Sequence, residues 1–300
     1  MPMILRFRML YVLLSLAGRL PLRVLHAFGA IVGFAYWLVR SRERRVTESN
    51  LLLLQTRNGG ETGQWRSRDV LIETGKSALE VAKVWSGRPG DALALVREVR
   101  GADLFEAAIA HGRGVIIAAP HLGCWELLNH WLASRTALAI VYRPPRNPNM
   151  EPFLIRARGA LEVEQVRAEG AGVRALYRRL CGGGVVGILP DQQPKQGEGT
   201  FAPFFGTEAL TMVLVPRLAE RTGATVLFAF AERLPHGTGF RINILPAPDG
   251  IADRDLRVAC SALNRGVENC VLLAPLQYQW HYKRYSIRPD PGEPRPYPRR

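Results

Sequence analysis

Val115-Ile116-Ile117-Ala118-Ala119-Pro120-His121-Leu122-Gly123-Cys124-Trp125-Glu126 is the stretch on which the fold turns. Its first five residues, apolar and partly β-branched, predict a buried strand over 115–119. The run Leu127-Leu128-Asn129-His130-Trp131-Leu132-Ala133 that follows predicts a helix over 123–133. A histidine thus falls at the end of a strand, and a glutamate five positions on falls at the start of a helix. A base and a carboxylate so placed can activate an alcohol, which is a poor nucleophile until its proton is taken.

Outward from this stretch, residues 41–100 read as mainly helical, with a break at Asn58-Gly59-Gly60. Strands are then predicted at 137–142, 185–189, 225–231, 240–245 and 277–280, and helices at 151–161, 172–180, 210–221 and 253–269. Such alternation predicts an α/β fold: a single-domain sandwich with a largely parallel central sheet flanked by helices. Sheets of this kind do their chemistry at the carboxyl ends of the strands. His121, Arg143 and Asp191 each come just after a predicted strand, which places them around one cleft. Cys181-Gly182-Gly183-Gly184 runs helix, glycines, strand. A phosphate loop needs the opposite order, so a helix C-cap and turn is expected here. Tyr278, Trp280 and Tyr282 alternate with Gln277, Gln279 and His281, which gives the last strand an aromatic face suited to a core or pocket wall.

The chain has 300 residues, 47% of them hydrophobic, enough for one substantial core. Its formal charge is +14, carried mainly by arginine. A surface of that sign is drawn to phosphates, whether of nucleic acid or anionic lipid, or to an acidic protein. No nucleic-acid-binding module is recognisable, so no specific nucleic acid is expected. Cys124, Cys181, Cys260 and Cys270 show neither a paired spacing nor a zinc pattern and read as reduced thiols. No metal site is expected. Cys124, inside the key stretch, is either an acyl-accepting nucleophile or, as expected for a small thiol, packing behind the loop.

The N-terminus carries Leu10–Gly18 and then Val24–Val39, apolar apart from His26, with Pro21 between them. Sixteen helical residues span about 24 Å, short of a ~30 Å hydrocarbon core. Arginines crowd both flanks: Arg6, Arg8, Arg19 and Arg23 before, Arg40, Arg42, Arg44 and Arg45 after. That pattern predicts an uncleaved helical hairpin, or a helix lying in the interface, over a signal peptide or a buried helix pair. The expected divisions are residues 1–45 as membrane anchor, 46–288 as the α/β domain, and 289–300 as a disordered basic, proline-rich tail.

Three further blocks accompany the His121–Glu126 pair: Tyr142-Arg143-Pro144 with Arg158 downstream, Leu189-Pro190-Asp191-Gln192, and Cys270-Val271-Leu272-Leu273-Ala274-Pro275 running into Gln277-Tyr278-Gln279-Trp280. H-x4-E resembles the H-x4-D pattern of glycerolipid-type acyltransferases. The four blocks, with the apolar basic N-terminus, resemble the late acyltransferases of lipid A biosynthesis, the lauroyl and myristoyl transferases, over nearly the whole chain.

That resemblance implies transfer of a fatty acyl chain of the laurate or myristate class from an acyl carrier protein thioester to a hydroxyl of a lipid A precursor. It also implies an inner-membrane location with the catalytic domain on the cytoplasmic side, partners in acyl carrier protein, lipid A precursor and an anionic membrane surface, and no cofactor beyond the acyl carrier co-substrate. His121 would be the base and Glu126 the group that fixes its tautomer. The family has also been read with the carboxylate and an arginine as the catalytic pair, here Glu126 and Arg158. Arginine cannot act as a base, so Arg158 would stabilise the developing oxyanion or hold a lipid phosphate. Tyr142, Arg143, Asp191 and Gln192 would bind substrate, with Asp191 orienting Arg158 or the hydroxyl. Gln196–Phe205 reads as a mobile loop closing on the acyl chain. Gln192-Gln193 and Leu276 stand where many relatives carry acids, so no role transfers there. The alternatives are acylation of another glycolipid or a glycerolipid, or a catalytically inactive basic protein that binds the membrane surface.

Overall fold

A computed structural model of the protein describes residues 14, 16–57, 65–86, 89–142, 163–167, 169–290, 292–294 and 296–297. The expected helix over 151–161, the Asn58-Gly59-Gly60 break, Arg143 and Arg158 lie outside them. The described strands are β1 (Val96–Arg100), β2 (Val115–Ala118), β3 (Leu138–Tyr142), β4 (Glu164–Arg167), β5 (Val185–Ile188), β6 (Gly199–Phe204), β7 (Thr207–Met212), β8 (Thr225–Arg233) and β9 (Phe240–Pro246). Seven of them form one sheet in the order β1-β9-β8-β2-β5-β3-β4, and β6 pairs with β7 apart from it. From β8 to β4 every pairing is parallel; only β9 runs against β8, and β1 follows β9. The expected, largely parallel sheet is the observed one.

β2 lies at the centre with all four residues buried. Its period-two alternation explains why a solid apolar run was needed. Ile116 and Ala118 meet one core and Val115 and Ile117 the other. Leu176 and Leu180 of α7 (Ala171–Cys181), Val215 and Leu218 of α8 (Leu214–Thr222), and Leu263 and Val267 of α9 (Leu256–Leu273) fill the first. Phe105 of α5 (Ala102–Ala110) and Leu127, Leu128 and Trp131 of α6 (Trp125–Ala133) fill the second. As expected, α7 ends at Cys181, and Gly183 turns the chain with φ of 80°.

The N-terminal part folds as α1 (Leu22–Leu38), α2 (Arg42–Arg57), α3 (Ser67–Ser86) and α4 (Pro89–Leu93). Among the described residues no single helix is long and apolar enough to cross a membrane; α1 and α2 meet at a bend of 80°. α1 lies backbone-to-backbone along α3. A Cβ on Gly33 would come within 2.0 Å of the Leu71 carbonyl oxygen, and one on Gly75 within 2.0 Å of that of Gly29. A buried ionic cluster ties this pair to the sheet. Arg233 of β8 donates to both oxygens of Glu80, to Glu73 and to Ser77, and His26 of α1 lies 2.7 Å from Glu80.

Burial alone would raise the Glu80 carboxyl, but the charge of Arg233 and the hydrogen bonds of His26 and Arg233 outweigh it and lower its pKa to about 2. A carboxyl depressed in the folded state contributes stability above its ordinary value of 4.5, and that stability is lost as pH falls toward 2. Glu80→Gln leaves the Arg233 guanidinium buried without its main counter-charge. It should therefore cost about 3–5 kcal/mol at neutral pH, with the difference from wild type shrinking below pH ~4. Thermal unfolding across pH checks this; melting like wild type at pH 7 would contradict it.

Five expectations are corrected. Gln196–Phe205 is not a loop, nor does a helix begin at 210. Residues 199–212 form the β6–β7 hairpin, and α8 starts at Leu214. The hairpin turns on Phe205 and Gly206, both with positive φ, the conformation of a tight two-residue turn. Phe205 is held in it by burial against Trp280 and by donating its backbone N–H to Glu268. Residues 277–280 are not a strand: Pro275–Gln277 is a 3-10 turn and Tyr278 makes only an isolated bridge to Leu122. Tyr278 and Trp280 are nonetheless buried core residues, as expected. Val96–Arg100, read as part of a helical region, is the edge strand β1. The tail is tied down at Tyr297, whose hydroxyl donates to Asn50 at 2.7 Å and accepts from the backbone of Tyr285 at 3.0 Å.

Candidate active site

β2 and β5 are adjacent and parallel, with Ala118 opposite Ile188. The residues three beyond each are His121 and Asp191, so the register of two core strands sets these side chains together. His121 Nδ1 lies 2.8 Å from Asp191 Oδ1, and the His121 backbone N–H donates to Oδ2 at 2.9 Å. On the far side of the ring, the Gln192 amide nitrogen approaches Nε2 at 3.2 Å and donates to Gln279 Oε1 at 3.3 Å. An anionic carboxylate at Nδ1 and an N–H donor at Nε2 select one tautomer: the proton sits on Nδ1, and the Nε2 lone pair accepts from the Gln192 amide. Trp125 meets the imidazole edge-on, ring centres 5.4 Å apart.

Asp191 is buried, which by itself would raise its pKa; the charge of His121 and two hydrogen bonds from it prevail and hold the carboxyl below its usual range. It is therefore an anion at any pH where an imidazole can act as a base.

Gly123 makes the turn from strand to helix possible. Its φ is 60°, and a Cβ there would lie 2.0 Å from the Ala231 carbonyl oxygen, which accepts the N–H of Cys124 at 2.9 Å. The segment Gln277–Gln279 straps the same loop, since Gly123 N–H donates to Gln277 O and Gln279 N–H to His121 O. The strap brings the Gln279 side chain beside Gln192.

His121, Trp125, Gln192 and Gln279 lie on the wall of a cavity of about 1130 Å³. Ile140, Val141, Ile188, Leu189, Met212 and Leu218 give it an apolar lining, and arginines of α7 and α8 a cationic one. A volume at the top of the range for small-molecule sites admits a long chain together with a polar head.

Of the residues singled out from sequence, His121, Asp191, Gln192 and Tyr142 meet in this cavity or directly behind it; Tyr142 also accepts a hydrogen bond from Arg167 at 3.3 Å. Glu126 is placed differently. Trp125 and Asn129, one helical turn apart, line the cavity, whereas Glu126 sits about 100° round α6 and is buried. Its charge acts on His130, lowered chiefly by burial and partly restored by Glu126. The position at His121 Nδ1 expected for Glu126 is held by Asp191. Cys124 is buried, and desolvation first, then the nearby carboxylates Glu80 and Glu126, push its thiol well above the usual range, as befits packing rather than attack. Gln279, Trp125 and Asn129 were not picked out from sequence. Trp125 and Asn129 carry a signal in their i, i+4 spacing directly after the histidine. Among the described residues no group of three His, Cys, Asp or Glu side chains converges as metal ligands would.

Known proteins resemble the chain over this whole architecture. It is 25% identical to the lipid A biosynthesis lauroyltransferase of Escherichia coli (strain K12) over 282 residues, 92% of this chain and 90% of the relative. It is also 25% identical to the palmitoleoyltransferase of the same organism over 272 residues, 90% and 88% of the two chains. Similarity reaches the phosphatidylinositol mannoside acyltransferase of Mycobacterium tuberculosis, 27% identical over 62% of this chain and 58% of that one. Residues 6–286 match the family model described as bacterial lipid A biosynthesis acyltransferase, and the chain therefore belongs to that family of acyltransferases.

Proposed function

We propose that the protein moves a fatty acyl chain from an acyl carrier protein thioester to a hydroxyl of a lipid A precursor, with His121 as general base. The observation that carries the reading is the His121 Nε2 lone pair, set by Asp191 and aimed into a large, mostly apolar cavity. The acceptor hydroxyl displaces the Gln192 amide from Nε2 and gives up its proton there as its oxygen attacks the thioester carbon. Asp191 balances the imidazolium that forms. The C–S bond then breaks, and the departing thiolate takes the proton back. Arg158 is assigned, on the family resemblance, to stabilising the tetrahedral oxyanion. The names of the Escherichia coli relatives favour a lipid A acceptor. Mass spectrometry of lipid A from cells with and without the gene tests this: a difference of one acyl chain is expected, and identical spectra would refute it.

The same reading places the protein at the inner membrane with the cavity open on the cytoplasmic side. In support, the outer face of α1 exposes Phe28, Ile31, Phe34 and Leu38, with Ile31 64% accessible, between Arg23 and the basic stretch Arg40–Arg45. A helix of this kind lies in the interface, apolar face down and arginines at the headgroups. Ile31→Glu with Phe34→Glu should reduce co-sedimentation with anionic vesicles by about tenfold or more while leaving the melting temperature unchanged. Undiminished sedimentation would contradict the placement.

A further inference from the structure

Four arginines line the cavity that holds His121: Arg174 and Arg178 on α7, Arg217 and Arg221 on α8. Each pair is spaced i, i+4, so two stripes of positive charge face a common space, an arrangement that costs each helix stability through like-charge repulsion. Among the described residues none of the four is in an ion pair. Arginines of the neighbourhood that point elsewhere are paired: Arg179 with Glu164 and Arg257 with Glu208, each at 2.6 Å. Helix dipoles account for part of the pattern, because Arg178 and Arg221 stand in last turns where cations complement free carbonyls. Arg174 and Arg217, a turn earlier, have no such reason to be there.

We infer that these four arginines form a clamp for a phosphate group of the acceptor lipid, and that the clamp selects which hydroxyl reaches His121 Nε2. Guanidinium forks match phosphate oxygens two at a time, and two facing pairs suit a dianion. The setting favours a headgroup over the acidic face of a carrier protein, because the same arginines share the cavity wall with Ile140, Leu189 and Met212, so a phosphate held by them keeps its own acyl chains against an apolar lining. With the phosphate held by the arginines and the base fixed on the wall of the same cavity, only a hydroxyl at the matching distance can be deprotonated.

The inference rests on the acyl-transfer reading above, and its test reads binding, not turnover. Full-length protein in non-ionic detergent is titrated calorimetrically with a lipid A precursor, and with the same lipid after enzymatic removal of its phosphates. Wild type should prefer the phosphorylated lipid by about tenfold or more, and the pairs Arg174→Gln with Arg178→Gln and Arg217→Gln with Arg221→Gln should each bring the ratio to about threefold or less. The matching Arg→Lys pairs, which keep the charge and lose the fork, should fall between, and they decide the matter should a glutamine pair fail to fold. Titration with acyl carrier protein should be the same for all variants. A phosphate preference that survives in both glutamine pairs would overturn the clamp, and so would a loss confined to carrier protein affinity. Clamp-dependent binding by a wild type that transfers no acyl group would remove the proposed reaction and leave the clamp standing. Normal transfer with phosphate-independent binding would do the reverse.

Discussion

His121→Ala should lower kcat/KM by roughly 10²–10⁴-fold, or about 3–5 kcal/mol of transition-state stabilisation. The loss should fall on kcat. His121 is partly exposed at the cavity wall, and its removal leaves the two cores intact, so the melting temperature should change little. The physical reason for the size of the effect is that Asp191, the carboxylate next to the ring, is buried behind it and is not part of the cavity wall, so the alanine variant keeps no base at the position of Nε2. Gln192, Gln279 and Trp125 surround the imidazole, and none is a base at neutral pH. Turnover within about threefold of wild type, measured with a labelled acyl thioester, would remove His121 from the chemistry.

Asp191→Asn is the second large effect, and it separates orientation from shape. Asparagine fills the same volume but presents an amide where the carboxylate stood. Its N–H groups favour a proton-free Nδ1, which moves the ring proton to Nε2 and caps the base. A fall in kcat of roughly 10²–10⁴-fold is expected, though no substrate contact is lost. Loss of the anion should also show in stability. The depressed Asp191 carboxyl contributes above its ordinary pKa of 3.8 and ceases to as pH falls further, so variant and wild type should converge in acid. A variant with normal kcat would assign the orienting role elsewhere, Glu126 being the first candidate.

Why Asp191 and not Glu126 meets the imidazole also explains how much of the site was legible in sequence. Glu126 is near His121 in the chain, but a helix begins between them, and the turn of α6 carries the glutamate off the cavity-facing stripe. Asp191 is 70 residues away and becomes adjacent only through the pairing of Ala118 with Ile188. The strand endings that place both residues were readable, because buried parallel strands show as uninterrupted apolar runs such as Val115–Ala119 and Val185–Leu189. Which strands pair is a long-range property that no local pattern records. The edge strand β1 read as part of a helical region and β4 was not read at all, because exposed edges accept charges: Arg97, Glu98 and Arg100 in one, Glu164 and Arg167 in the other. The β6–β7 hairpin was hidden by its turn. Phe205-Gly206 lacks the asparagine or aspartate that marks such turns, and the phenylalanine accepts positive φ only through tertiary packing. Tyr297 in a proline-rich tail gave no sign that its hydroxyl would bridge Asn50 and Tyr285.

The most direct measurement is single-turnover transfer by the purified full-length protein and by its His121→Ala variant, with an acyl carrier protein thioester as donor and a lipid A precursor as acceptor, followed by mass spectrometry. The predicted result is a product heavier by one acyl chain with the wild type and none in the same time with the variant. Acyl transfer that survives at the wild-type rate in the alanine variant would contradict the assignment of the imidazole as the group that takes the proton.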